Sequence, residues 1–131
     1  MLFDEAYRRF WMDLGESRTM TLSTSLHDLV TSRMMSIVVL EGRLFFQTDR
    51  TFRKYEQIKG NAHVALCADN FQIEGECKEV GRPVENPDFC RAYEKYFHSS
   101  FQRYSGLENE RLFAVTPTFI ERWRYVDGIP Y

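Results

Sequence analysis

Residues 33–54, RMMSIVVLEGRLFFQTDRTFRK, decide how the rest of the chain is read. Arg33 to Leu40 reads as a strand closing on the apolar run IVVL, and Glu41-Gly42 reads as a tight hairpin turn. Arg43 to Thr48 is the returning strand, after which the period changes from two residues to that of a helix. Just past the strand end the chain collects Gln47, Thr48, Asp49, Thr51, Arg53 and Lys54, which supply an amide, hydroxyls and adjacent cations. That set suits an anionic group such as a phosphate, because Arg engages it bidentately and Lys adds a point charge. The start of a helix adds free backbone N–H groups and the positive end of its dipole.

Before this stretch, Phe3, Ala6, Tyr7, Phe10, Trp11 and Leu14 recur at helical spacing, and Gly15 ends the run. RTMTLST (Arg18 to Thr24) alternates around Met20 and Leu22 and reads as a half-buried strand, with LHDL as the turn into Val30 to Leu40. The IVVL end of that second strand predicts cover on both faces. Met34 and Met35 are adjacent on it, so they point to opposite faces, and only one can pack a core while the other meets a ligand or a partner. Arg33, a cation opening an apolar strand, needs an anion or solvent nearby.

After it, TFRKYEQIKGN puts Phe52, Tyr55 and Ile58 on one helical face, with Thr51 or Asp49 as the N-cap and Gly60-Asn61 as the close. AHVALCA reads as a buried strand and Asp69-Asn70 as a turn. FQIEGECKEVG reads as a long strand with Phe71, Ile73, Gly75 and Cys77 on one side. Pro83 to Asp88 reads as a loop, Phe89, Ala92, Tyr93, Tyr96 and Phe97 as a helix face, and HSSFQRYSGLENE as a polar surface passage. The last unit, RLFAVTPTFIERWRYVDGIPY, reads as two strand-like runs hinged at Pro117, which cannot donate to a central ladder. Strands joined mainly by turns favour a mainly β fold, an antiparallel barrel with flanking helices, over a doubly wound parallel sheet.

The 131 residues, 44% apolar and 15% aromatic, fit one domain with a sizeable core. With 17 basic against 19 acidic residues, the net charge of −2 gives no electrostatic case for nucleic acid or an anionic membrane as partner. Trp123 between Arg122 and Arg124 resembles a base-stacking platform, but no basic stripe accompanies it. No apolar run approaches the roughly 20 residues of a membrane span, so a soluble, cytoplasmic protein is expected. Cys67, Cys77 and Cys90 form no CxxC pair and are expected reduced, with Cys67 a small buried residue in its apolar run. His27, His63 and His98 show no local ligand spacing, and no metal site is expected.

Several short motifs stand in a shared order: RxMS at Arg33, FFQTD before the Arg53-Lys54 pair, FQIEG at Phe71, and PxxIExW ending at Trp123. Together, over roughly Thr19 to Trp123, they resemble the pyridoxamine 5'-phosphate oxidase-like proteins, the FMN-binding split barrels. The resemblance implies a six-stranded antiparallel split barrel that forms a homodimer, with one FMN at each end of the interface touching both subunits. It implies that Arg33, Met34, Met35 and Ser36 run along the isoalloxazine ring and ribityl chain. Gln47 and Thr48 match the pair ending the next strand, and Arg53 and Lys54 match the pair that holds the phosphate, with Thr51 beside them as a hydroxyl donor. Asn70 or Gln72 stands where the family has a Gln, and Trp123 matches the Trp of its C-terminal motif.

The implied function is a flavin-dependent oxidoreductase acting on a small molecule. In it FMN carries the redox chemistry and the chain supplies binding and orientation, so no catalytic triad or dyad is expected. A deazaflavin- or haem-binding barrel and a non-catalytic flavin-binding sensor are the alternatives. The sequence departs from the family twice. Ile129 and Tyr131 stand where the oxidase itself has an Arg and a His that grip its substrate, which argues against pyridoxamine phosphate as the substrate here. Phe52 stands where relatives place a Ser directly before Arg-Lys, removing one phosphate donor unless Thr51 replaces it. Tyr96, His98, Gln102 and Tyr104 are candidates to line the substrate pocket.

Overall fold

The hairpin that organises the chain forms as its sequence dictates. In the computed structural model, which describes residues 3–123, 125–126 and 129–130, β2 (Leu29–Leu40) turns on Glu41 and Gly42 into β3 (Arg43–Asp49). Both turn residues have positive φ (51° and 73°), the twist a two-residue hairpin turn requires. His27 and Asp28 (φ 52° and 66°) make the same kind of turn between β1 (Ser17–Leu26) and β2. β4 (His63–Ala68), β5 (Phe71–Glu79) and β6 (Glu110–Arg122) complete a closed antiparallel barrel in the order β1-β2-β3-β6-β5-β4. The mainly β fold and the six-stranded barrel expected from the sequence are therefore present. α1 (Phe3–Leu14), α2 (Arg53–Gly60) and α3 (Pro87–Tyr96) flank it, and β7 (Tyr125–Val126) pairs with β8 (Ile129–Pro130) outside it.

Strand alternation sorts the apolar residues into two cores. Met20, Leu22, Ile37, Leu44, Phe46, Ile73, Phe113 and Val115 fill the barrel, joined by Phe10 and Leu14 of α1 and Ile58 of α2. Val38, Phe45, Leu112 and Ala114 point the other way and pack under Phe89 and Tyr93 of α3. This is why IVVL, LFF and LFAV are continuous apolar runs: β2, β3 and β6 are covered on both faces there. Burying each such side chain contributes roughly 1.5–3 kcal/mol. As expected of adjacent methionines, Met35 packs against the barrel core while Met34 faces outward, 63% exposed.

Five local readings are corrected. β6 is one strand and not two runs hinged at Pro117. Its pairing with β3 ends at Val115, so at Pro117 only the β5 side is laddered, and the missing N–H costs no bond. Gly75 faces Pro117 across a bulge, where an added Cβ would lie 2.7 Å from the Thr116 carbonyl oxygen. AHVALCA is half-buried: Val64 and Leu66 point inward, whereas Cys67 is exposed because it takes the outward phase of the pleat. Neither Thr51 nor Asp49 is the N-cap of α2; that position is Phe52, and Asp49 instead accepts from the Thr51 N–H (2.8 Å) and hydroxyl (2.6 Å). Residues 83–88 carry a short 3-10 turn, Pro83–Glu85, and the beginning of α3. The passage after α3 is not simply polar surface. It winds through His98–Ser100 and a π-helical turn, Phe101–Ser105, that buries Ser105 and packs Phe101 on the outer core.

Candidate functional site

The outward faces of β2, β3 and β6 change character where α3 ends. Above, they are apolar; below, the same alternation presents Met34 and Ser36 of β2, Gln47 and Asp49 of β3, and Glu110 of β6. These residues, with Met35 and Thr48, line one side of a cavity of about 360 Å³. Phe52 and Lys54 close its lower side, and Tyr93, Ser100, Tyr104 and Leu107 form its roof.

The roof is fastened by polar contacts. The buried Ser105 hydroxyl donates to Gln47 Oε1 at 2.6 Å, and the Tyr93 and Ser100 hydroxyls bond at 2.8 Å. Burial, together with the Glu110 charge, outweighs bonds from Ser100 and Ser36 and raises the Tyr93 phenol above its ordinary range, so it stays neutral. Arg82 Nη2 holds the carbonyls of Gly106 (3.2 Å) and Leu107 (3.1 Å) from outside.

The floor carries positive charge. Lys54 Nζ reaches Thr48 Oγ1 at 3.3 Å and sits 5.0 Å from the centre of the Phe52 ring. Arg33 Nη1 donates to the Leu22 carbonyl and to Thr24 Oγ1, both at 3.0 Å, and its other nitrogen bonds Thr31. Thr24 and Thr31 both donate to Gln57 Oε1, at 2.7 and 2.6 Å, so the end of the barrel beneath α2 is a closed polar network around Arg33. Burial and then Arg53 lower the pKa of Arg33; burial and then Arg33 lower that of Lys54, against the opposing pull of Glu110 and Asp49. Among the described residues, none of Arg33, Arg53 and Lys54 forms an ion pair. No side chain caps α2; its Tyr55 N–H is taken by the Phe52 carbonyl (3.1 Å), which leaves the N–H groups of Arg53 and Lys54 available to an anion.

Of the residues singled out in the sequence, Met34, Met35, Ser36, Gln47, Thr48 and Lys54 meet in this cavity. Arg33 and Arg53 do not line it; the Arg33 charge acts on Lys54, and the Arg53 charge acts on Arg33. Thr51 lies outside it, and because its hydroxyl is held by Asp49 it does not replace the Ser hydroxyl that Phe52 removes. Gln72 and Trp123 stand on a second cleft with Thr19, Thr21 and Cys67, which shares only Met34 with the first. Of the four pocket candidates after α3 and at its end, Tyr104 lines the cavity, whereas Tyr96 is turned away to Glu16. Tyr131 and Arg124 lie outside the described residues.

Glu110 and Ser105 went unread in the sequence. Glu110 is 5% exposed, and burial, then the facing Asp49, push its carboxyl up to about 7 against the pull of Lys54. Its signal was present: Glu110 shares the phase of Leu112 and Ala114, but a strand begun at Arg111 leaves it out. Cys77 is buried in the barrel, which raises its thiol to about 12 and makes it inert.

Comparison with known proteins agrees with this architecture. The model of the family described as pyridoxamine 5'-phosphate oxidase matches residues 3–124. Among solved structures, General Stress Protein 26 from Bacillus anthracis is similar at 22% identity and a TM-score of 0.63, over 79% of this chain and 82% of that one. HutZ, the heme storage protein from Vibrio cholerae, is similar at 15% identity and a TM-score of 0.69, over 93% and 95%. A FAD-binding protein from Mesorhizobium loti is similar at 11% identity and a TM-score of 0.67, over 92% of both chains. No curated protein matches the sequence.

Proposed function

From the premise that this chain belongs to the pyridoxamine 5'-phosphate oxidase family, we propose that it binds FMN in the cavity beneath the π-helical turn and acts as a flavin-dependent oxidoreductase on a small molecule. One observation carries this reading: Arg33, Arg53 and Lys54 are held together beside the cavity with no carboxylate ion pair among the described residues. Arg33 and Lys54 are half-buried with the exposed Arg53 beside them; like charges so gathered are costly unless an anion joins them, and a phosphomonoester brings about −1.5 to −2 charges at neutral pH. Lys54 and Arg53 would hold the phosphate with the first-turn N–H groups of α2. Thr48, Ser36 and Gln47 would face the ribityl chain, and Met34 and Met35 the ring. FMN would supply hydride and electron transfer, and the chain would position it and exclude water.

The expected homodimer fits the same geometry. Gln72 and Trp123 lie on a different cleft that shares only Met34 with the first, as they would if each belongs to the site of a second copy. Leu29, Val30, Met34 and Phe119 on the strands, and Trp123 just past the end of β6, are exposed apolar side chains that such a copy would cover. Ile129, in β8, remains the reason to seek a substrate other than pyridoxamine phosphate.

The visible spectrum tests the proposal. Purified protein, or protein titrated with FMN, should show the flavin band pair in the near-ultraviolet and blue and release FMN on denaturation. An intense Soret band would replace this reading with haem, and a colourless protein indifferent to added FMN would end it. Bleaching by NADH or NADPH under anaerobic conditions, with recovery in air, separates an enzyme from an inert binder.

A further inference from the structure

We propose that anion binding at the Lys54 end of the cavity is coupled to proton uptake by Glu110: the neutral carboxyl donates a hydrogen bond to the bound anion, whereas the carboxylate repels it. This rests on the cavity's being an anion site, as FMN binding would make it, and adds a residue and a pH dependence that a phosphate clamp of cations alone does not have.

Glu110 lines the cavity at 5% exposure, and its side chain makes no hydrogen bond among the described residues. Its oxygens open on the cavity and not into the core, so an anion entering there meets them directly, and in this confined setting the charged form is the more costly one. The groups around it explain why it cannot simply pair with a cation. Directly across the ladder on β3 stands Asp49, a carboxylate that its bonds from Thr51 keep ionised. Lys54 of α2 faces both acids but bonds Thr48. Arg111, next in sequence, donates to the backbone carbonyls of Glu108 and Glu110 (2.6 and 2.8 Å). Tyr93 of α3 is a neutral phenol. Arg33 acts on Lys54 from below, and Arg53 acts on Arg33.

A carboxyl that titrates at about 7 in this setting meets a second negative charge when the anion arrives. Repulsion then raises its affinity for a proton, and a protonated carboxyl has an O–H to give to a phosphoryl oxygen. Proton uptake and anion affinity rise together, because each stabilises the other by the same free energy.

FMN titrations of the dimer-competent full chain between about pH 7 and about pH 9 read the coupling, because the FMN phosphate (second pKa about 6) is already a dianion there. The wild type should lose affinity by up to about tenfold per pH unit across this range. Glu110→Gln, which keeps shape and removes the titration, should bind with little pH dependence and more tightly than wild type at the alkaline end. Riboflavin, which lacks the phosphate, should show no such slope in either protein. Calorimetry of wild-type FMN binding in buffers of different ionisation enthalpy should show up to about one proton taken up per FMN near pH 8, a reading that needs no variant. FMN binding without slope and without proton uptake would overturn the coupling and leave the cofactor site standing. A slope that persists in Glu110→Gln would assign it to Lys54 and overturn the role of Glu110. No FMN binding at any pH would overturn the cofactor site, and this inference with it.

Discussion

The two faces of the β2–β3–β6 sheet come from the same strands and differ in what they bury. The inward face packs an apolar core of Ile37, Leu44, Phe46, Phe113 and Val115, all fully buried, with the Phe46 and Phe113 rings stacked at 5.4 Å, and it turns polar only at the Arg33 and Thr48 end beneath α2. The outward face begins the same way, with Val38, Phe45, Leu112 and Ala114 under α3, and then buries Gln47 and Glu110. Packing alone gives no reason to bury an amide and a carboxyl where alternation calls for two more apolar residues. The inward face specifies the barrel, and the lower outward face gives up stability for a cavity with polar walls.

Substitutions sharpen that contrast. On the inward face, Phe113→Ala should destabilise the protein by about 3–5 kcal/mol through lost burial and the void it leaves, read by denaturant unfolding. FMN affinity of the molecules that remain folded should change little. On the outward face the sign should reverse. The Glu110 carboxyl rises from 4.5 to about 7 on folding, so the native state binds more protons than the unfolded state between those values. Stability should therefore fall as pH rises from about 4.5 to about 7 and stay level above it. Glu110→Gln removes that loss and should stabilise the empty protein above pH 7 by at most about 3 kcal/mol, visible as a higher melting temperature. A buried carboxyl whose replacement instead lowers stability at alkaline pH would mean that the outward face is built for packing after all. Arg53→Ala separates ligand from fold most cleanly: Arg53 is exposed and without a hydrogen-bond or ion-pair partner among the described residues, so unfolding should barely change. FMN should bind about 1.5–3 kcal/mol more weakly, the range for a charged hydrogen bond; equal affinity would move the phosphate away from α2.

What could be read from the sequence divides along the same line. Alternation and turn chemistry sufficed for the hairpin at Glu41-Gly42, the barrel, and the opposite facing of Met34 and Met35, because those depend on neighbours in sequence. Met34 to Ser36, Gln47, Thr48 and Lys54 converge on one cavity because one hairpin and the helix after it carry them all. Cys67 was misplaced because a short apolar run does not reveal whether one face or two are covered. Tyr93 and Glu110 reach the cavity, and Ser105 reaches its wall residue Gln47 across 58 positions, only through the return of the chain over the sheet, a separation across which no local pattern operates. The ties of Arg33 to Leu22, Thr24 and Thr31 likewise depend on the β1–β2 register and on α2 landing above it.

Phe52 is the residue at which the two faces can be compared with the smallest change. A Ser there would place a hydroxyl at the N-cap of α2, where none now caps the helix, and within reach of an anion at its first turn. It would also remove the ring beneath the Lys54 ammonium, a contact worth about 0.5–1 kcal/mol at an exposed site. Since Thr51 is held by Asp49, no existing hydroxyl competes for the role. Phe52→Ser should therefore stabilise α2 and tighten FMN, each by no more than about 1 kcal/mol, in thermal melts and FMN titrations. If FMN weakens instead, the aromatic face of Phe52, and not a hydroxyl, is what this cavity presents to its ligand beside Lys54.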